Sequence, residues 1–158
     1  MAEPLIRTAT SKDVRAIEAM ILDAYGKYVE RLGRTPAPME ADYGQLISEG
    51  DVWLLELNSE AAGVMILRSK PDHLLISNVA VATAHQGRRF GSHLLTHAEA
   101  EARRRKYKEM RLFTNEMMHE NLAIYARLGW VEYDRAEREG FRRVFMRKRV
   151  PGVVSNAR

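Results

Sequence analysis

The sequence predicts a mixed α/β domain, one sheet of seven strands with four helices on its faces. Two features predict antiparallel pairing: apolar runs flank turn residues at Asn58-Ser59-Glu60 early in the chain and at Glu139-Gly140 late in it. A third predicts one parallel pair. From Leu74 to Thr114 an apolar run, a long helical stretch and a second apolar run succeed one another, the order of a strand-helix-strand crossover.

Leu5-Ile6-Arg7-Thr8-Ala9 reads as a short first strand. Thr10 or Ser11 then caps a helix, with Asp13 as the acidic half of a capping box. Val14, Ile17, Ile21, Ala24, Tyr25 and Tyr28 form one apolar stripe along it, and Gly33 with the turn Pro36-Ala37-Pro38 ends it. A second short helix is expected from Met39 to Ser48, closed by Glu49-Gly50-Asp51. Val52 to Leu57 and Ala62 to Leu67 are the arms of the first hairpin. After a turn at Pro71-Asp72, Leu74 to Val81 reads as a buried central strand. Arg88 to Arg105 is helical, with Phe90, Leu94, Leu95, Ala98 and Ala102 on one face. A strand from Met110 to Thr114, a helix from Met117 to Leu128 and strands at Trp130 to Tyr133 and Phe141 to Met146 complete the pattern. One domain is expected over residues 1–150, with 151–158 as a flexible tail.

A chain of 158 residues suits one compact domain. No apolar run approaches the roughly 20 residues that cross a bilayer, and from Met1-Ala2-Glu3-Pro4 no signal peptide is expected. The absence of cysteine excludes disulfides, thiolate metal sites and a cysteine nucleophile. A cytoplasmic protein with no metal and no membrane partner is the expectation. The net charge of +4 is a mild excess that suits an anionic cofactor, nucleic acid or a solubility surface. The densest basic run, Arg103-Arg104-Arg105-Lys106, falls at the end of an expected helix, where cations interact favourably with the last carbonyls. No nucleic-acid partner is therefore expected.

The stretch from Val79 through Ala80 and Val81 to Gln86, Gly87, Arg88, Arg89, Phe90, Gly91 and Ser92 is an apolar strand running through a glycine-containing turn into a helix. Such a turn presents unpaired backbone N–H groups at the positive end of a helix dipole, an arrangement suited to phosphate or pyrophosphate. It also reads as a capped helix that binds nothing, and it matches neither the P-loop nor the dinucleotide fingerprint. In a second segment Asn121 precedes Tyr125 by four residues, so both project from one side of a helix that Gly129 ends and Trp130 leaves. Alone, these read first as a surface amide and a core aromatic.

Together, in this order and on these elements, the two segments resemble the GNAT superfamily of acetyl-CoA-dependent N-acetyltransferases. The family's pyrophosphate loop, Gln/Arg-x-x-Gly-x-Gly/Ala, falls on Gln86 to Gly91, with Arg89 in place of the first glycine. Its later signature, Asn-x-x-x-Tyr followed by Gly and an aromatic, falls on Asn121, Tyr125, Gly129 and Trp130. The resemblance implies a mostly antiparallel sheet with one central parallel pair, and acetyl-CoA or coenzyme A as co-substrate. It implies that backbone groups of Val79, Ala80 and Val81 meet the pantetheine arm and acetyl carbonyl. The amides of Gln86 through Ser92 would hold the pyrophosphate, Asn121 would contact the cofactor arm, and Tyr125 would protonate the departing thiolate. At Arg89 a right-handed backbone is expected, with the side chain turned outward.

The resemblance implies an amine acceptor, either of a small molecule or of a protein, and a homodimer is left open. His73, Ser77, Asn78, Glu40, Glu116 and His119 lie on elements that could border the amine, but each also reads as a surface residue and no base is assigned. Transfer of a longer acyl group, or a CoA-binding regulatory domain without turnover, are the alternatives.

Overall fold

The computed structural model describes residues 3–153; positions 154–158, most of the expected tail, lie outside the described residues. Its strands are β1 (Leu5–Thr8), β2 (Val52–Leu57), β3 (Glu60–Ser69), β4 (Leu74–Val81), β5 (Glu109–Asn115), β6 (Val131–Arg138) and β7 (Phe141–Arg149). They form one sheet of seven strands in the order β1-β2-β3-β4-β5-β7-β6. β4 and β5 are parallel, with Leu74 opposite Met110, while β1–β2, β2–β3, β5–β7 and β6–β7 are antiparallel. The helices among the described residues are α1 (Val14–Tyr25), α2 (Tyr28–Leu32), α3 (Tyr43–Ser48), α4 (Phe90–Arg104) and α5 (His119–Arg127). The mixed sheet with one parallel pair is the one expected, but the helices number five rather than four.

The extra helix arises because the expected first one breaks at Gly26. An ideal Cβ there would lie 2.7 Å from the Leu22 carbonyl oxygen, so the chain tightens where only glycine fits. α2 then ends on Gly33, whose φ of +72° supplies a left-handed C-cap. The next helix also starts later than expected. A 3₁₀ turn covers Ala37–Met39, and Asp42 caps α3 by accepting from the Gln45 N–H at 3.0 Å. Both hairpin turns have two residues at positive φ, Asn58 (+53°) with Ser59 (+65°) and Glu139 (+54°) with Gly140 (+84°), the signature of a type I′ turn. β6 and β7 run well past their apolar residues. Charged side chains occupy most of the exposed edge strand β6, so hydrophobic pattern alone stops short of its end.

By packing, the chain forms two compact units: one comprises the segment through Leu67 with Asn78–His97, the other Arg68–Ser77 with the chain from Ala98 onward. In the first, Ile17 and Ile21 of α1, Leu54 and Leu55 of β2, Val64 and Met65 of β3 and Leu94 of α4 are almost wholly withdrawn from water. Gly63 permits close approach there, since a Cβ would stand 3.1 Å from Leu94 Cδ1 and 3.3 Å from the Ala80 carbonyl. Arg7 of β1 donates to Asp13 at 2.9 Å and to Glu56 at 2.6 Å, tying the first strand to the helix that follows and to β2. The capping box is present, with the Thr10 N–H donating to Asp13 at 2.7 Å.

In the second unit Leu74, Ile76, Met110, Leu112, Val144, Met146, Ala98 and Ala102 make the core. Glu101 on α4 is buried and accepts from Arg104 at 2.7 Å and Arg105 at 3.1 Å, so part of the basic run is neutralised within its own helix. Just beyond β7, Arg103 Nε donates to the Pro151 carbonyl at 2.9 Å. No helix of the described residues is long and apolar enough to cross a membrane.

Candidate active site

In the first unit the end of β4 is held from two sides. The Tyr25 hydroxyl, at the last turn of α1, donates to Asn78 Oδ1 at 2.7 Å and lies 3.3 Å from the Val79 carbonyl. Asn78 Nδ2 donates to the Tyr43 hydroxyl oxygen at 3.4 Å, and the Tyr43 hydroxyl donates to the Pro38 carbonyl at 2.5 Å. Burial raises the Tyr43 phenol above its ordinary value, so it stays a donor at neutral pH. Each group thus has a matched partner in one direction along the chain. In the sequence Tyr25 is one member of an apolar stripe, and its partner, 53 residues away, leaves no mark in the local pattern.

Beyond Val81 the chain turns through a 3₁₀ segment, Thr83–His85, before entering α4. The Asp23 carboxylate accepts from the Thr83 N–H at 2.6 Å, and Gln86 Nε2 donates to the Val81 carbonyl at 3.0 Å, so side chains brace both ends of this turn. Among the described residues, no acceptor takes the backbone N–H groups of Gly87 through Ser92; the first helical bond runs from the His93 N–H to the Arg89 carbonyl at 3.1 Å. Phe90 is buried with its ring 5.9 Å from that of His85. His85 Nδ1 is buried with no partner among the described residues, and Arg88 and Arg89 are exposed.

The expected right-handed backbone at Arg89 is not what forms. Its φ is +65°, following Gly87 at +84°, so the loop keeps the left-handed turn that a glycine would make and imposes it on arginine. Gly91 behaves differently. Its backbone is helical, and an ideal Cβ would meet nothing closer than Val81 Cγ2 at 4.0 Å, which leaves open space at that position. Open backbone donors, a buried orphan nitrogen and two exposed guanidinium groups together fit a polyphosphate.

In the second unit, α5 presents Asn121 and Tyr125 one turn apart, both half-buried. Asn121 Nδ2 and Thr114 Oγ1 both approach the Met118 sulfur, at 3.7 and 3.6 Å. The helix closes in a Schellman motif: the Trp130 N–H donates to the Tyr125 carbonyl at 3.0 Å, and the Gly129 N–H to Ala126 at 3.2 Å, with Gly129 at φ +93°. Tyr125 and Trp130 make the hydrophobic contact that accompanies this motif, their ring centroids 6.3 Å apart and nearly edge-on. Burial pushes the Tyr125 phenol up to about 12. Val79 through Val81 and Gln86 through Ser92 are thus gathered in one unit, and Asn121 and Tyr125 on one helix of the other.

Of the six residues on elements that could border the amine, three are engaged elsewhere. His73 Nδ1 is 2.7 Å from the Asp72 carboxylate, Glu116 pairs with Arg142 at 3.2 Å, and Asn78 belongs to the Tyr25 network. Ser77 is half-buried; Glu40 and His119 are exposed. No cluster of three or more potential metal ligands occurs among the described residues.

Nearly the whole chain superposes on solved N-acetyltransferases. The ribosomal-protein-S18-alanine N-acetyltransferase from Escherichia coli is 17% identical, with a TM-score of 0.78 and 99% of each chain covered. PaiA N-acetyltransferase from Thermoplasma acidophilum, solved with coenzyme A, is 14% identical at a TM-score of 0.78, covering 93% of this chain and 99% of that one. Arabidopsis thaliana Naa50, in complex with the bisubstrate analogue CoA-Ac-MVNAL, is 15% identical at a TM-score of 0.71, covering 92% and 97%. The fold is therefore that of the N-acetyltransferases. Residues 16–130 match the model of the acetyltransferase (GNAT) family, and the chain belongs to that family. None of the curated proteins matches it in sequence.

Proposed function

We propose that this acetyltransferase moves the acetyl group of acetyl-CoA to a primary amine by direct attack in a ternary complex. The row of unpaired N–H groups from Gly87 to Ser92 carries the reading, because it suits the pyrophosphate of coenzyme A. Backbone groups of Val79, Ala80 and Val81 would take the pantetheine arm and polarise the acetyl carbonyl as its oxygen gains charge. Asn121 contacts the cofactor arm, and Tyr125 supplies the proton that the departing thiolate takes up; both roles rest on the Asn-x-x-x-Tyr signature.

In the reaction, the neutral amine nitrogen forms the new bond to the acetyl carbon while the carbon–sulfur bond breaks. An alkylammonium, with a pKa near 10.4, must first lose a proton. The chain has no cysteine to carry the acetyl group, in keeping with transfer in one complex. A cysteine-free chain that uses acetyl-CoA is proposed to work in the cytoplasm.

Thiol release from acetyl-CoA across a panel of amines, with mass spectrometry of each amine, tests the proposal. Amine-dependent release with an acetylated product is the expected result. Tight acetyl-CoA binding without turnover across the panel would instead leave a CoA-binding regulatory domain.

A further inference from the structure

The second unit carries a cluster of arginines and aromatic rings that the transfer reaction does not explain. β5 and β7 place Phe113 opposite Phe145 and Arg111 opposite Arg147, so these four share one face of the sheet. The alternate residues Met110, Leu112, Val144 and Met146 are buried in the core. On the first face the Phe113 and Phe145 centroids are 6.0 Å apart, and Tyr133 of β6 lies 6.3 Å from Phe145. The Arg143 guanidinium stands 4.4 Å from the centre of Phe113, while Arg111 and Arg147 stand 5.4 and 5.6 Å from that of Tyr133.

These cations differ in how they are paired. Arg111 donates to Glu109 at 2.5 Å and lies 3.8 Å from Asp72. Arg143 has a side chain only 17% exposed, and its ion pair is a 3.9 Å approach to Glu139, which is 81% exposed. Burial pushes the Arg143 guanidinium below its ordinary value; Glu139 opposes that shift and Arg138 adds to it. A cation so far withdrawn from water, whose one counter-charge among the described residues is distant and exposed, is costly unless an anion completes it. Glu139, at the tip of the β6–β7 turn, is free to give way to one.

We propose that this face binds a small carboxylic acid with a flat apolar body, its carboxylate on Arg143 and its body against Phe113 and Phe145. The planar guanidinium suits a carboxylate taken by two parallel hydrogen bonds, and the half-buried rings suit an apolar body beside it. A polyamine would meet three guanidinium groups. A nucleic acid would meet the acids of β6 and its turn: Glu132, Asp134, Glu137 and Glu139 alternate with Arg135 and Arg138, so the surface lacks the single sign that a phosphate backbone requires. For an acetyltransferase, an acid of this shape that also bears an amine is an amino acid, and its acetylated form is the product. That assignment rests on the proposed transfer reaction; the binding site does not.

Calorimetric titration with N-acetyl-L-phenylalanine and with its carboxamide tests the site without turnover. The acid is expected to bind at least about tenfold more tightly than the amide, as a charge-assisted bidentate pair implies. Arg143→Gln removes that preference, Arg143→Lys restores part of it, and Arg149→Gln, an exposed change on the same strand, leaves it intact. Equal binding of acid and amide overturns the proposal, as does no binding of either at millimolar concentration, a preference that survives Arg143→Gln in a normally melting protein, or displacement of the acid by a short oligonucleotide. Thiol release with phenylalanine and with phenethylamine then separates the two levels. Faster turnover of the amino acid supports its place as acceptor, and binding of the acid with no turnover of any amine sinks the transfer reaction while the site stands.

Discussion

Arg89 holds a backbone conformation that costs a residue with a β-carbon about 1–2 kcal/mol relative to glycine. Such strain persists where something else requires the side chain, here an exposed guanidinium in the proposed pyrophosphate loop. Arg89→Gly should therefore raise the unfolding free energy by about 1 kcal/mol in urea titration, and an unchanged or lower midpoint would mean that the arginine makes compensating contacts. Tyr125 is the second informative side chain. With its phenol pushed up to about 12, it is protonated throughout the neutral range and can donate to a thiolate. Tyr125→Phe keeps the contact with Trp130 and removes only the donor. It should lower kcat by about tenfold to a hundredfold with acetyl-CoA affinity unchanged, the pattern of an interaction lost in the transition state. Steady-state kinetics with both substrates varied would show this, and parent-like turnover would return Tyr125 to a packing role. The motif that marks Tyr125 was legible because it is local: Tyr125, Gly129 and Trp130 spell out one Schellman ending. The Tyr25–Asn78–Tyr43 network was not, since its members come from three separated segments and nothing in the spacing of any one reveals the others.

The elements that sequence delimits well are those whose signal is apolar and uninterrupted. β4 begins and ends where Leu74 to Val81 predicts, and the stripe on α4 is the buried one. Where polar chemistry sets the boundary, pattern misplaces it: Gly26 divides the first helix, Asp42 rather than Met39 starts α3, and β6 continues through charged residues to Arg138. The left-handed backbone at Arg89 was illegible for a related reason, because the loop geometry dictates it against the residue's own preference. The first connection, from β1 into α1, carries a pH dependence of its own. Arg7 is the main cause that holds the Asp13 carboxylate at about 2, below the ordinary value near 3.9. The unfolded chain thus binds the proton more readily, so this contribution is full above about pH 4 and is lost as pH falls through about 2. Urea midpoints measured at pH 5 and near pH 2 should show a gap between the parent and Asp13→Asn that narrows on acidification. A gap independent of pH would mean that the ion pair contributes nothing beyond its packing.

Stability of the whole molecule offers the most direct check on the proposed cofactor loop, since a ligand that binds only the folded state raises the melting temperature wherever it binds. Acetyl-CoA at 100 times its dissociation constant should add about 2.7 kcal/mol. Gly91→Val converts that shift into a test of location. A Cβ at Gly91 meets only Val81 Cγ2, at 4.0 Å, and the position is helical, so valine clashes with no part of the protein that the Cβ reaches. Its branches enter the open space at that position instead, beside the loop where the pyrophosphate is proposed to bind. Without ligand the variant should melt within about a degree of the parent, because a glycine-to-valine change in a helix alters stability by only tenths of a kcal/mol. With acetyl-CoA the parent should shift and the variant should not. A variant that shifts like the parent would place the cofactor away from this loop and leave the strand–turn–helix as a helix start that binds nothing. A parent that fails to shift at millimolar acetyl-CoA would remove the transfer reaction itself.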